Sequence, residues 1–190
     1  MGERIYTYTK YLESVSDNIV AYHGTPNGYF KEFSMDKRAT GADKKGSGVG
    51  DYGKGFYFTP YKEYALSYAT KERSTETDSY LYTVHLKMDN PFNMKLYNDV
   101  RREISELIKK HGIFNVPDTE RNKVYKRFGT TEDQYDFFID IEDSMNDNWG
   151  DWDIPNKLIN KGYDSIINHN GYEYIVFDAN QIRIINTEKV

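Results

Sequence analysis

Apolar and polar positions alternate most cleanly between Tyr80 and Met88. Tyr80, Tyr82, Val84, Leu86 and Met88 fall on one side of an extended chain, and Leu81, Thr83, His85 and Lys87 on the other. Asp89-Asn90-Pro91 stops that strand. A shorter apolar run, Asn18 to Tyr22, predicts a strand that ends at His23-Gly24. Phe56 to Thr59 predicts another. Tyr163 to Asn168, Tyr172 to Phe177 and Ile182 to Ile185 predict three more in close succession.

Helical spacing follows Pro60, a residue suited to a helix start, where Tyr61, Tyr64, Ala65 and Tyr68 share a face. From Asn98 to His111, Val100, Ile104, Leu107 and Ile108 are in register, and Gly112 stands just past the end. Ile154 to Asn160 reads as a further helix, closed by Lys161-Gly162. Residues 36 to 55 are polar and glycine-rich and read as a loop. Residues 113 to 160 are less clearly patterned: a basic stretch (Arg121, Lys123, Lys126, Arg127) precedes nine acids with no Lys or Arg between Glu132 and Asp153. The order is strand, loop, strand, helix, strand, helical insertion, three strands. It lacks regular βαβ alternation, which predicts an α+β fold with mostly antiparallel sheets. The whole chain, 1–190, reads as a single domain with a mostly helical insertion at about 90–160.

Composition narrows the chemistry. With 190 residues the chain can bury a core without disulfides, and the absence of cysteine removes thiolate zinc sites and cysteine nucleophiles. A net charge of −5 argues against a global nucleic-acid footprint. No apolar run approaches the roughly 20 residues of a membrane span. The N-terminal stretch lacks the apolar core of a secretory signal, and Tyr6 stands where a myristoylation motif wants Ser or Thr. These features predict a soluble, cytoplasmic protein with no membrane partner. The four histidines show no metal spacing, and Asp147-Asn148-Trp149-Gly150-Asp151 does not fit a calcium loop, so no metal is expected. Arg121 to Phe128, with Tyr125 and Phe128 among the bases, reads either as a helix with an exposed basic side or as a stacking contact for nucleic acid.

The glycines before Phe56 invite a phosphate-binding reading. Gly48-Val49-Gly50-Asp51-Tyr52-Gly53 satisfies G-x-G-x-x-G, but a dinucleotide loop has a strand before it and a helix after it, and here the order is reversed. Gly48 to Lys54 also approaches a P-loop, yet Gly55 stands where the magnesium-holding Ser or Thr belongs. Glycines easing a turn into a strand account for the spacing better.

That loop has two companions. One is Ala21-Tyr22-His23-Gly24-Thr25; the other is Gly171-Tyr172-Glu173-Tyr174-Ile175-Val176-Phe177-Asp178. With Gly53-Lys54-Gly55-Phe56-Tyr57-Phe58-Thr59 between them, the three blocks resemble the ADP-ribosyltransferase superfamily, in its His-Tyr-Glu branch. That branch includes the poly(ADP-ribose) polymerases and bacterial and phage relatives. The resemblance does not cover residues 90 to 160. It implies an ADP-ribosyltransferase-like fold, two packed, mostly antiparallel β-sheets with flanking helices, and NAD as co-substrate.

By the same resemblance, His23 would hydrogen-bond a ribose hydroxyl near the adenine end of NAD. The Gly24 backbone would grip the nicotinamide carboxamide, its missing side chain allowing close approach, and Thr25 could add a hydroxyl. Tyr57 would lie flat against the nicotinamide, with Tyr68 offering a second ring or else packing in the core. Where some relatives place a serine that binds the carboxamide, this chain has Ala65, with Ser67 nearby. Glu173 would be the catalytic carboxylate, accepting from the 2′-hydroxyl of the nicotinamide ribose beside the developing cation. Gly171 replaces the second Glu or Gln of the arginine-modifying branch. The implied function is a mono-ADP-ribosyltransferase of toxin or phage-effector type. Its acceptor is a protein, DNA or RNA, contacted by residues 36 to 54 and 90 to 160, and an antitoxin or inhibitor is a conceivable partner. An NAD glycohydrolase and a catalytically silent binding module are the alternatives. His169, in the turn before Glu173, could touch the acceptor.

Overall fold

The computed structural model describes residues 19–26, 28–37, 52–70, 78–147, 154–168 and 170–190. One sheet has the order β1 (Ile19–Thr25), β3 (Tyr80–Leu86), β7 (Ile182–Lys189), antiparallel throughout. The other has the order β2 (Phe56–Phe58), β6 (Tyr174–Val176), β5 (Ser165–Ile167), β4 (Pro91–Asn93), with only β4 and β5 parallel. Five helices accompany them among the described residues: α1 (Lys62–Ala69), α2 (Met94–His111), α3 (Asp118–Phe128), α4 (Glu132–Asp147) and α5 (Ile154–Asn160). The α+β class follows.

Alternation explains how the layers meet. Ala21, Tyr82, Val84 and Leu86 from the first sheet, with Met88 just after β3, pack against Phe56, Phe58, Ile167 and Val176 from the second. The side shared by Tyr80 to Met88 is therefore the inward one. Leu81, on the opposite face, is buried as well. It pairs with Gly24, and α1 packs on that side. The outer face of the second sheet, with Phe92, Ile166 and Ile175, is covered by Tyr97 of α2, Phe138 and Ile141 of α4, and Ile154 and Leu158 of α5. A smaller cluster of Val100, Ile104, Val124 and Tyr125 joins α2 to α3.

Several elements depart from the sequence expectation. β1 does not stop at His23-Gly24 but runs to Thr25, because those residues pair with Tyr82, Leu81 and Tyr80 of β3. Pro91 begins a strand instead of only ending one. β4 is buried throughout and lies parallel to β5. α2 starts four residues before Asn98, capped by Asn93, whose side chain accepts from the Leu96 N–H at 3.0 Å. α1 buries Ala65 and Ala69, whereas Tyr61, Tyr64 and Tyr68 are exposed. The stretch from Arg121 to Phe128 is not a stacking platform: Tyr125 is buried, Arg121 is bonded to Asp118 and Arg127 to Glu103.

Candidate active site

Among the described residues, the two sheets meet edge to edge at one bridge. Tyr22 and Thr59 exchange both backbone hydrogen bonds, at 2.8 and 3.0 Å. In an antiparallel ladder, the groups aimed at one edge recur every second residue. Gly24 therefore turns its N–H and C=O to the same edge as Tyr22, opposite Tyr57. The ladder does not continue there. The Tyr57 carbonyl instead accepts from the His23 side chain, at 2.9 Å from Nδ1.

That bond fixes the imidazole. A carbonyl can only accept, so Nδ1 carries the hydrogen, and in the neutral ring Nε2 is an acceptor. Burial holds the His23 pKa below the usual histidine value, against the opposing pull of the Tyr57 carbonyl. The ring sits among Phe33, Phe58, Phe30 and Tyr82, at centroid distances of 5.3, 5.7, 6.3 and 6.4 Å. Tyr82 in turn holds the segment at residue 30. Its hydroxyl accepts from the Phe30 N–H at 2.7 Å and donates to the Phe30 carbonyl at 3.1 Å. The aromatic wall from residues 30 to 33 was not anticipated from the sequence.

Gly24 lies directly against helix α1. A Cβ there would lie 1.8 Å from the Ala65 carbonyl oxygen and 2.7 Å from its carbon. The missing side chain thus admits helix α1. Thr25, next along β1, is buried opposite Tyr80.

Tyr57 is tied to the glycine turn before it. Its hydroxyl donates to the Gly53 carbonyl at 2.7 Å, and Gly53 adopts φ +80°, a conformation that favours glycine. Gly55 lets β2 press on β6, since a Cβ there would meet Ile175 Cγ2 at 2.4 Å. Gly48 to Asp51 lie outside the described residues, as does His169.

The register of β2 on β6 brings Glu173 to Tyr57. Tyr57 pairs with Ile175, so Glu173, two residues earlier, is its diagonal neighbour on the same face. Glu173 is half-buried, and its Oε2 accepts from Asn168 Nδ2 at 3.0 Å. Asn168 Oδ1 accepts from the backbone N–H groups of Tyr172 (3.0 Å) and Glu173 (3.3 Å). Sequence reasoning missed Asn168. Its only signal was a polar residue at the end of a strand, five positions before the candidate carboxylate.

The remaining candidates are on α1. Tyr68 is not a core residue; its ring meets Tyr64 edge-on at 5.3 Å. Ala65 is fully packed, and Ser67 Oγ donates to the Tyr64 carbonyl at 2.7 Å. The ring of Tyr61 meets that of Tyr172, at 5.3 Å, which links the start of α1 to the residue before Glu173. Away from the site, His85 Nδ1 accepts from Arg183 at 2.7 Å, and His111 faces Glu120 at 3.3 Å. Among the described residues, no three His, Asp or Glu side chains are grouped to hold a metal ion. No described helix is long and apolar enough to cross a membrane.

The blocks around His23, Tyr57 and Glu173 thus lie on adjacent strands: β1 meets β2 at the interrupted ladder, and β2 pairs with β6. No curated protein and no solved structure matches the chain. A family model described as "ADP-Ribosyltransferase in polyvalent proteins" matches residues 17–190, and the chain belongs to that ADP-ribosyltransferase family.

Proposed function

We propose that the protein is a mono-ADP-ribosyltransferase that moves ADP-ribose from NAD to a macromolecular acceptor and releases nicotinamide. The observation that carries this reading is the interrupted ladder between β1 and β2. It turns the Gly24 backbone groups toward Tyr57, with Glu173 immediately before the neighbouring strand β6.

In this reading the nicotinamide carboxamide donates to the Gly24 carbonyl and accepts from the Gly24 N–H. The ring lies on Tyr57, and Tyr68 closes the other side. His23 Nε2 accepts from a ribose hydroxyl of the adenosine half, and the Thr25 hydroxyl adds a polar contact. Glu173 accepts from the 2′-hydroxyl of the nicotinamide ribose. The C1′–N bond breaks, and its electron pair leaves with nicotinamide. The sugar becomes an oxocarbenium-like cation, which the Glu173 charge stabilises. The acceptor forms a bond to C1′ and loses its proton to water. No step needs a metal ion. The acceptor is a protein or a nucleic acid, in a toxin-type or phage-type effector role that an antitoxin could restrain.

The test is incubation of the purified protein with cell lysate and NAD labelled in its adenylate half. Nicotinamide release is followed beside mass spectrometry of the macromolecules. Label on protein or nucleic acid is the expected result. Label only in free ADP-ribose would instead make the protein a glycohydrolase, and NAD left intact would make it a binding module. Glu173→Gln should lower nicotinamide release at least about 100-fold while leaving the Kd for NAD within a few-fold.

A further inference from the structure

We propose that Asn168 is a positioning residue that holds the Glu173 carboxylate in its working orientation. The inference rests on the assignment of Glu173 given under Proposed function.

Asn168 follows β5 directly and is 7 % exposed. Its amide uses both ends on one neighbour. Nδ2 donates to Glu173 Oε2 at 3.0 Å, and Oδ1 accepts from the Glu173 N–H at 3.3 Å and the Tyr172 N–H at 3.0 Å. The Asn168 backbone adds two more bonds. Its N–H donates to the Glu173 carbonyl at 3.1 Å, and its carbonyl accepts from the Gly171 N–H at 2.9 Å. One residue therefore fixes the backbone from which the carboxylate projects, the carboxylate itself, and the turn between them.

The side-chain chemistry admits few substitutes. Aspartate keeps the acceptor for the two N–H groups but offers no hydrogen to the carboxylate. Alanine abandons all three side-chain bonds and leaves the Tyr172 and Glu173 N–H groups without this partner. Glutamine carries one more methylene than the turn was built around. The amide donor is the part that a purely structural role would not require.

That distinction sets the experiment, in which nicotinamide release and thermal unfolding are measured on four full-length proteins. These are wild type, Asn168→Asp, Glu173→Gln and the pair Asn168→Asp with Glu173→Gln. Asn168→Asp should lower kcat about 10- to 100-fold with KM for NAD within about threefold, the mark of a group that acts late in the reaction. In the Glu173→Gln background the same change should cost no further turnover, because the group it positions is already gone. The exchanged pair can remake the bond with donor and acceptor reversed. It should therefore melt at a higher temperature than Asn168→Asp alone while staying as slow as Glu173→Gln. That readout holds even if Asn168→Asp alone folds poorly. Turnover by Asn168→Asp within twofold of wild type, or an exchanged pair with no recovery in melting, would overturn the positioning role and leave the assignment of Glu173 intact. A fully active Glu173→Gln would overturn both.

Discussion

Replacing Gly24 by alanine tests the join between fold and site. The new Cβ would stand 1.8 Å from the Ala65 carbonyl oxygen and 3.0 Å from the Ala69 nitrogen. A carbon and a carbonyl oxygen sit comfortably at about 3.3–3.6 Å, so the first contact is short by roughly 1.5 Å. Both atoms belong to the helix backbone, and no rotamer change relieves them. Either α1 lifts from β1 or the strand buckles. Overpacking of this kind costs about 1–3 kcal/mol. For a chain of this length that corresponds to a melting point lower by roughly 2–12 °C. Under the proposed function, turnover should fall about 100-fold as well, because Gly24 and Tyr68 would shift together. Circular-dichroism melts and nicotinamide release read the two effects separately. Adding Ala65→Gly should not rescue the variant, since the clash is with the carbonyl and not the methyl group. A Gly24→Ala protein that melts within 1 °C of wild type, or one restored by Ala65→Gly, would refute the packing argument.

Three further outcomes are expected. Tyr82→Phe removes the hydroxyl that serves both backbone groups of Phe30. It should cost about 1–3 kcal/mol in urea unfolding and raise KM for NAD by loosening the wall around His23; an unchanged midpoint would contradict it. Burial lowers the His23 pKa in the folded protein, so as pH falls below about 6.5 the unfolded chain takes up this proton first. Stability should then decline with falling pH until the folded pKa is passed, by no more than about 1.4 kcal/mol per pH unit. The stability gap between wild type and His23→Gln should change across pH 7 to 5 in that sense, and a constant gap would count against it. Tyr57→Phe keeps the ring but loses the bond to Gly53. It should cost about 0.5–1.5 kcal/mol and raise KM more than it lowers kcat, and the reverse split would give the hydroxyl a chemical role.

How legible each element was depends on how locally its partners lie. The strand from Tyr80 was readable because both its faces follow a period of two, and the sheet partner on each side only confirms it. β4 spans three residues, Pro91 to Asn93, too few for any period, and a proline at its start argues locally for an end. In α1 the spacing puts Tyr61, Tyr64, Ala65 and Tyr68 on one face and leaves open whether Tyr68 packs in the core. Here the partner strand carries Gly24, and the approach is too close for rings, so the alanines face in. In the candidate site, short motifs nominate His23, Tyr57 and Glu173. They do not nominate the groups that orient them, because each acts across a long separation or through an unremarkable residue. The Thr59 bridge to Tyr22, the Tyr82 hydroxyl on Phe30 and the Asn168 amide on Glu173 are of this kind.

Under the proposed function, the same geometry suits a ligand amide. Two strands begin to pair at Tyr22 and Thr59, and the pairing fails one step later because the His23 ring takes the Tyr57 carbonyl. What remains at Gly24 is the edge of a ladder with one donor and one acceptor spaced for a peptide group. A carboxamide offers the complementary pair, so under the proposed function nicotinamide completes the ladder that the imidazole interrupts. Backbone groups held in a sheet need little reorganisation on binding, and α1 behind Gly24 keeps them from moving back. His23 then has two consequences from one bond: it takes the carbonyl that would continue the pairing, and it leaves Nε2 as the acceptor, the nitrogen that under the proposed function meets the ribose.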